Sequence, residues 1–195
     1  MIASQDRSGW FGASDIDFII GNWGTATFEK WWLQKLGIDR SNFQTKHTLA
    51  GTHKEHQILN ALQIPMMEFD KQILIPALKL RVNLDGNTDD CIYECKTHSA
   101  DKPFKMPKKY ERQVWVQMFA AELKRAKIVV YALIEDDYNN FYLPIDKERL
   151  KEHEITYNEK FIKEEFLPKL KYLAACLEQG IFPNKEEFLK GLKKV

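Results

Sequence analysis

The chain has 195 residues, 44% of them hydrophobic, which is enough to bury a substantial core. No run approaches the ~18 apolar residues of a membrane span, and residues 1–9 lack a signal-peptide pattern. The formal net charge of +1 neither demands nor excludes a polyanionic partner. The three cysteines, Cys91, Cys95 and Cys176, supply neither a disulfide framework nor a four-thiolate cluster. These features fit the reducing cytoplasm. With no internal repeat, low-complexity tract or flexible linker, residues 1–195 read as a single domain.

Ser14 and Asp15 mark a helix start before Ile16, Phe18, Ile19 and Ile20. A second helix is predicted over 27–36, where Phe28, Trp31, Trp32 and Leu36 form a stripe that reads as core before it reads as a base-stacking platform. A third, over 48–62, carries Glu55. Its His53 and His56 lack the His-Glu-x-x-His spacing, and no Cys-x-x-Cys pair joins His98, so these read as ordinary surface histidines. Strands follow near 72–75, 77–83 and 91–97; the last two read as a hairpin in which Asp85 ends one strand and Gly86 allows the turn. A helix over 109–124 offers Val114, Val116, Met118, Phe119 and Leu123 for burial. The β-branched run 128–134 predicts a strand covered on both faces, and 141–145 a shorter one. Helices over 159–178 and 185–193 close the chain. This order is that of a layered α/β domain with a mixed sheet.

Alternation along the strand over 91–97 sends Glu94 and Lys96 to one face and Cys95 to the other. Two hard carboxylates, Asp85 and Glu94, suit Mg²⁺, and an adjacent ammonium suits charge developing on a phosphate. The basic run Lys102, Lys105, Lys108, Lys109 and Arg112 follows directly; a solvated face and a phosphate-contacting face are equally open readings. There is no Walker-type phosphate loop, so ATP hydrolysis is not expected of this chain.

Glu55 within Gly51-Thr52-His53-Lys54-Glu55, then Asp85, then Glu94-Cys95-Lys96, then Gln113 on the following helix form an ordered series. In it the chain resembles the PD-(D/E)XK nuclease superfamily and, within that, the phage lambda exonuclease and YqaJ-like viral recombinase branch, over about the first 120 residues. The resemblance implies a restriction-endonuclease-like core, a mixed central β-sheet flanked by helices, with a C-terminal helical extension. It implies Asp85, Glu94 and the Cys95 backbone carbonyl as ligands of Mg²⁺ or Mn²⁺, with Glu55 serving a second ion or a water beside it. Lys96 then orients or deprotonates the attacking water, and Gln113 hydrogen-bonds that water or the phosphate. Gln117, one turn further on, extends the contact.

In this branch an arginine and a serine seven residues apart hold the phosphate at a DNA 5′ end; Arg7 and Ser14 have that spacing. Read alone, Ser14 is a helix cap and Arg7 a surface charge. The chain departs from the pattern at Leu84, where proline is common, and at Asn83, which replaces a phosphate-binding serine but keeps an amide donor. The activity implied is Mg²⁺-dependent exonuclease resection of double-stranded DNA ends, 5′→3′. It would leave 3′ single strands for an annealing protein of the RecT or Erf type, in a phage or prophage setting. A ring-shaped homotrimer is implied likewise. An endonuclease on the same core and a DNA- or protein-binding module without catalysis are the alternatives; Arg7 with Ser14 argues against the first, and the intact Asp85, Glu94 and Lys96 against the second.

Overall fold

The β-branched run that begins at Ile128 becomes a strand buried on both faces, Ile128, Val129, Val130 and Tyr131 all being buried. The computed structural model describes residues 7–39 and 46–192. Residues 1–6 and 193, which bear on the reading of the amino terminus and of the last helix, lie outside the described residues. In chain order the elements are α1 (Ile16–Ile20), α2 (Ala26–Lys35), α3 (Lys46–Ala61), β1 (Glu68–Ile75), β2 (Leu80–Asn87), β3 (Cys91–Ser99), α4 (Lys108–Ala121), β4 (Arg125–Leu133), α5 (Glu135–Asn139), β5 (Leu150–Thr156), α6 (Glu159–Phe161), α7 (Leu167–Gln179) and α8 (Lys185–Leu192). The sheet is five-stranded, in the order β1–β2–β3–β4–β5. β3 pairs antiparallel with β2 and parallel with β4, with α4 as the crossover, and β4 pairs antiparallel with β5. This is the expected mixed α/β sheet flanked by helices.

Contacts divide the chain into two compact units. One holds the described residues of 42–73 and 83–157, the other those of 4–41, 74–82 and 158–195. In the first, Ala50, Ile58 and Leu59 of α3 pack with Cys91 and Tyr93 of β3 and Val129, Tyr131 and Leu133 of β4. By alternation Ile92, Glu94 and Lys96 face the other side of the sheet, where α4 lies. In the second unit the helical aromatic stripe is core, as expected: Trp32 and Phe28 are buried, and Trp31 stacks on Phe18 with centroids 4.8 Å apart.

Several elements differ from the sequence reading. The hairpin turn is Thr88–Asp90, not Gly86; Gly86 lies within β2, paired with Tyr93. A Cβ there would meet Met67 Sδ at 3.0 Å and Leu59 Cδ1 at 3.1 Å, so the glycine permits close packing, not the turn. β2 starts at Leu80, because Pro76 opens a 3₁₀ turn over Pro76–Leu78 and Lys79 takes a left-handed conformation. Residues 141–145 are not a strand; Pro144 lacks a ladder donor, and Phe141 and Ile145 serve only as partial cover for the core. β5 was not predicted: it is an edge strand with exposed Lys151, Glu152 and Glu154, which hide the period of two. The closing helix continues from α6 to α7 through a π-helical stretch, Ile162–Phe166, just ahead of Pro168, whose missing N–H interrupts the regular ladder.

Candidate active site

The β2–β3 ladder runs through Gly86–Tyr93 and Asn87–Ile92. One step beyond it, Asp85 Oδ2 accepts the Cys95 N–H at 2.8 Å, so a carboxylate takes the place of a backbone acceptor. On the adjacent strand Glu94 and Lys96 do share a face: Lys96 Nζ donates to Glu94 Oε1 at 2.5 Å. Across from them α4 presents Gln113, whose Nε2 donates to Glu94 Oε1, and one turn on Gln117, whose Nε2 donates to Oε2, each at 2.5 Å. Gln117 also donates to the Asn83 carbonyl at 3.3 Å, and Asn83 Oδ1 accepts from Gln72 at 3.2 Å. Cys95 points the other way, its Sγ 3.9 Å from the Glu55 carbonyl of α3. Close approach of α3 to β3 depends on Gly51, where a Cβ would stand 3.1 Å from Thr97 Oγ1.

Burial, Glu94 and Asp70 push the Glu55 carboxyl up to about 7, against the opposing pull of His56 and Lys96. Asp85 is raised well above the carboxylate range by burial, then by Glu94 and Glu55. Burial works against the Lys96 ammonium, yet Glu94 and Asp85 hold its pKa above the ordinary lysine value. Three carboxylates thus crowd one fixed ammonium, an excess of negative charge that a divalent cation with oxygen ligands matches.

Two participants, Tyr110 and Asp70, lie outside the motif series. Tyr110, in the first turn of α4, lies with its ring 5.0 Å from Lys96 Nζ; its i, i+3, i+7 spacing with Gln113 and Gln117 is the pattern that identifies it. Asp70 of β1, held at φ +57°, brings Oδ2 within 3.1 Å of His56 Nε2. With Glu55 these two form a group whose ligand atoms lie within 4.8 Å of one another. His53 instead stacks on Phe141, centroids 4.8 Å apart. Of the basic run, Lys102, Lys105, Lys108 and Lys109 are exposed.

Arg7 and Ser14 belong to the second unit, and both are exposed. Ser14 is not the cap the sequence suggested. It lies inside a 3₁₀ turn, Ala13–Asp15, which Asp15 fastens by accepting the Gly12 N–H on Oδ2 at 2.7 Å. The hydroxyl is thereby left on the surface.

No family model and no curated protein matches this chain. Solved structures do. An alkaline exonuclease, LHK-Exo, from Laribacter hongkongensis superposes with a TM-score of 0.68 at 17% identity, covering 97% of this chain and 96% of that one. The same protein in complex with dAMP gives 0.64 at 18% identity over the same shares. A phage-related exonuclease from Haemophilus somnus 129PT gives 0.63 at 13% identity, covering 87% and 92%. The chain therefore shares the fold of these exonucleases, a mixed sheet flanked by helices. These exonucleases are the neighbours that the sequence resemblance to the YqaJ-like viral recombinase branch leads one to expect.

Proposed function

We propose that this chain is a divalent-metal-dependent deoxyribonuclease that degrades double-stranded DNA from its ends, 5′→3′. The observation that carries this reading is the meeting of Glu55, Asp85 and Glu94 around Lys96, two of them with raised pKa values. Asp85 and Glu94, with the Cys95 carbonyl, are the proposed ligands of Mg²⁺ or Mn²⁺, and Glu55 serves a second ion or a nearby water. Such an ion, when bound, supplies Lewis-acid polarisation of the phosphoryl oxygens. Lys96, fixed by Glu94 and flanked by Tyr110, orients the attacking water and stabilises charge building on the phosphoryl oxygens. Gln113 and Gln117 hold the Glu94 rotamer by one oxygen each, and Gln113 reaches the water or phosphate.

Arg7 and Ser14 are the proposed grip on a 5′-terminal phosphate, and the Asn83 amide is a proposed phosphate donor in its own right. Lys105, Lys108 and Lys109 are proposed contacts to the DNA backbone. The structural neighbours, an alkaline exonuclease and a phage-related exonuclease, support exonuclease chemistry. The 3′ single strand so produced would pass to an annealing protein of the RecT or Erf type in the cytoplasm of a phage-infected bacterium, with a ring trimer as the working form. Among the described residues no helix is long and apolar enough to cross a membrane.

Digestion of linear duplex, 5′-phosphorylated or 5′-hydroxyl, beside a covalently closed circle, in Mg²⁺ or in EDTA, tests the reading. Mg²⁺-dependent loss of the phosphorylated linear duplex with the circle spared is expected. A cut circle would replace it with an endonuclease, and no cleavage with either metal would leave a binding module.

A further inference from the structure

Lys96 has two attachments of different kinds. Its Nζ donates to Glu94 Oε1 at 2.5 Å, and the same Nζ stands 5.0 Å from the centroid of the Tyr110 ring. The ring is placed by the start of α4. Pro107 is the N-cap residue, its carbonyl accepts the Tyr110 N–H at 2.9 Å, and the helical period then puts Tyr110 on the stripe that carries Gln113 and Gln117. The Lys96 side chain is only 18% exposed, so its ammonium has given up most of its water. A cation over an aromatic face is held more firmly in such a setting than at an open surface. Lys109 Nζ also approaches this ring, at 5.4 Å, but Lys109 is exposed and water screens that contact.

The two attachments treat the charge of Lys96 differently. Glu94 neutralises it, and Oε1 is shared besides with Gln113 Nε2. A carboxylate that ligates a divalent cation loses much of its hold on a neighbouring ammonium, because cation and ammonium repel each other. A phenol ring carries no net charge. Its quadrupole attracts the ammonium and leaves the positive charge available to a phosphate. The ring therefore supplies a hold on Lys96 that does not weaken when Glu94 is engaged elsewhere.

We propose that Tyr110 is a positioning residue: the face of its ring keeps the Lys96 ammonium in place for the phosphodiester while Glu94 serves as a metal ligand. This rests on the reading of Lys96 and Glu94 given above and adds to it the group that fixes the lysine.

The test compares wild type with Tyr110→Phe, which keeps the ring, and Tyr110→Leu, which keeps bulk without a π face, alone and combined with Lys96→Ala, each first shown to be folded by its thermal transition. In single-turnover digestion of a linear duplex in Mg²⁺, Tyr110→Leu should be about tenfold slower, with duplex binding in EDTA within about twofold of wild type, and Tyr110→Phe should cleave within about twofold of wild type. Combined with Lys96→Ala, Tyr110→Leu should cause no further loss, since the ring then has nothing to hold. A second readout is independent of activity. In protein isotope-labelled at the lysine ε-carbons, the Lys96 ε-protons, identified by their loss in Lys96→Ala, should be shifted upfield by the ring current in EDTA and in Mg²⁺. Tyr110→Leu should abolish that shift and Tyr110→Phe should keep it. Cleavage at the wild-type rate by Tyr110→Leu, an equal slowing by Tyr110→Phe, a further loss in the Lys96→Ala background, or unshifted Lys96 ε-protons in wild type would each overturn the role of Tyr110 and leave that of Lys96 standing. The last of these needs no variant of Tyr110 to fold. Cleavage at the wild-type rate by Lys96→Ala would overturn the reading of Lys96 and this proposal with it, and no cleavage by wild type with either metal would overturn the nuclease reading itself.

Discussion

Glu94 is the most heavily bonded side chain of the site, with Lys96 and Gln113 on one oxygen and Gln117 on the other. Gln117→Ala removes the donor to Oε2 at a buried position, and we expect a loss of about 1–2 kcal/mol in stability together with slower cleavage. Chemical denaturation and single-turnover rates measure the two effects; an unchanged rate would remove Gln117 from the site. Asp85→Asn keeps an oxygen for the Cys95 N–H but not the charge, so the protein should stay folded and lose Mg²⁺ binding in calorimetry. Unchanged binding would argue against ligation by Asp85.

Glu55 gives a pH signature. Its pKa is raised on folding to about 7, so the folded protein keeps a proton that the unfolded chain has already released. Metal-free stability should therefore fall as pH rises from about 5 to 8, by on the order of 2 kcal/mol, and Glu55→Gln should flatten that slope. Denaturation in EDTA at both ends of the window measures it; stability rising with pH through the window would contradict the assigned environment. At this scale Glu94, Lys96 and Gln113 were legible because strand and helix periods fix which side chains meet. Asp70 was not, since only a left-handed backbone at that residue turns its carboxylate toward His56.

Helix α3 carries Glu55 outward from a buried anchor. The residue before it, Lys54, is fully buried, pairs with Asp137 Oδ1 at 2.9 Å and donates to the Leu143 carbonyl at 3.1 Å; Arg149 holds the other Asp137 oxygen at 2.6 Å. Removing one member of a buried ion pair leaves an uncompensated charge, so Lys54→Met should destabilise by about 3 kcal/mol, read as a shifted denaturation midpoint. A change below about 0.5 kcal/mol would show that the pair contributes nothing. Elements rich in apolar residues were readable from sequence: β4, and the helices that bury Trp32 or Val114. Those governed by long-range packing were not. Gly86 looks like a turn residue until Leu59 and Met67 are seen against it, and β5 shows charges because an edge strand needs them.

For the molecule as a whole, the sheet order and the separation of α3 and α4 onto opposite faces of β3 bring residues far apart in sequence to one strand. The order of motifs foretold that arrangement; the division of contacts into two units left no mark in composition, because no linker separates them. Lys96, set among carboxylates, is proposed to act on a phosphodiester and not to serve as a structural ion pair. That role is tested most directly by single-turnover digestion of a 5′-phosphorylated linear duplex in Mg²⁺ by wild type and Lys96→Ala, with duplex binding measured on the same samples. We predict that Lys96→Ala binds DNA within a few-fold of wild type and cleaves at least about 100-fold more slowly. Cleavage at the wild-type rate by a folded Lys96→Ala protein would contradict the account.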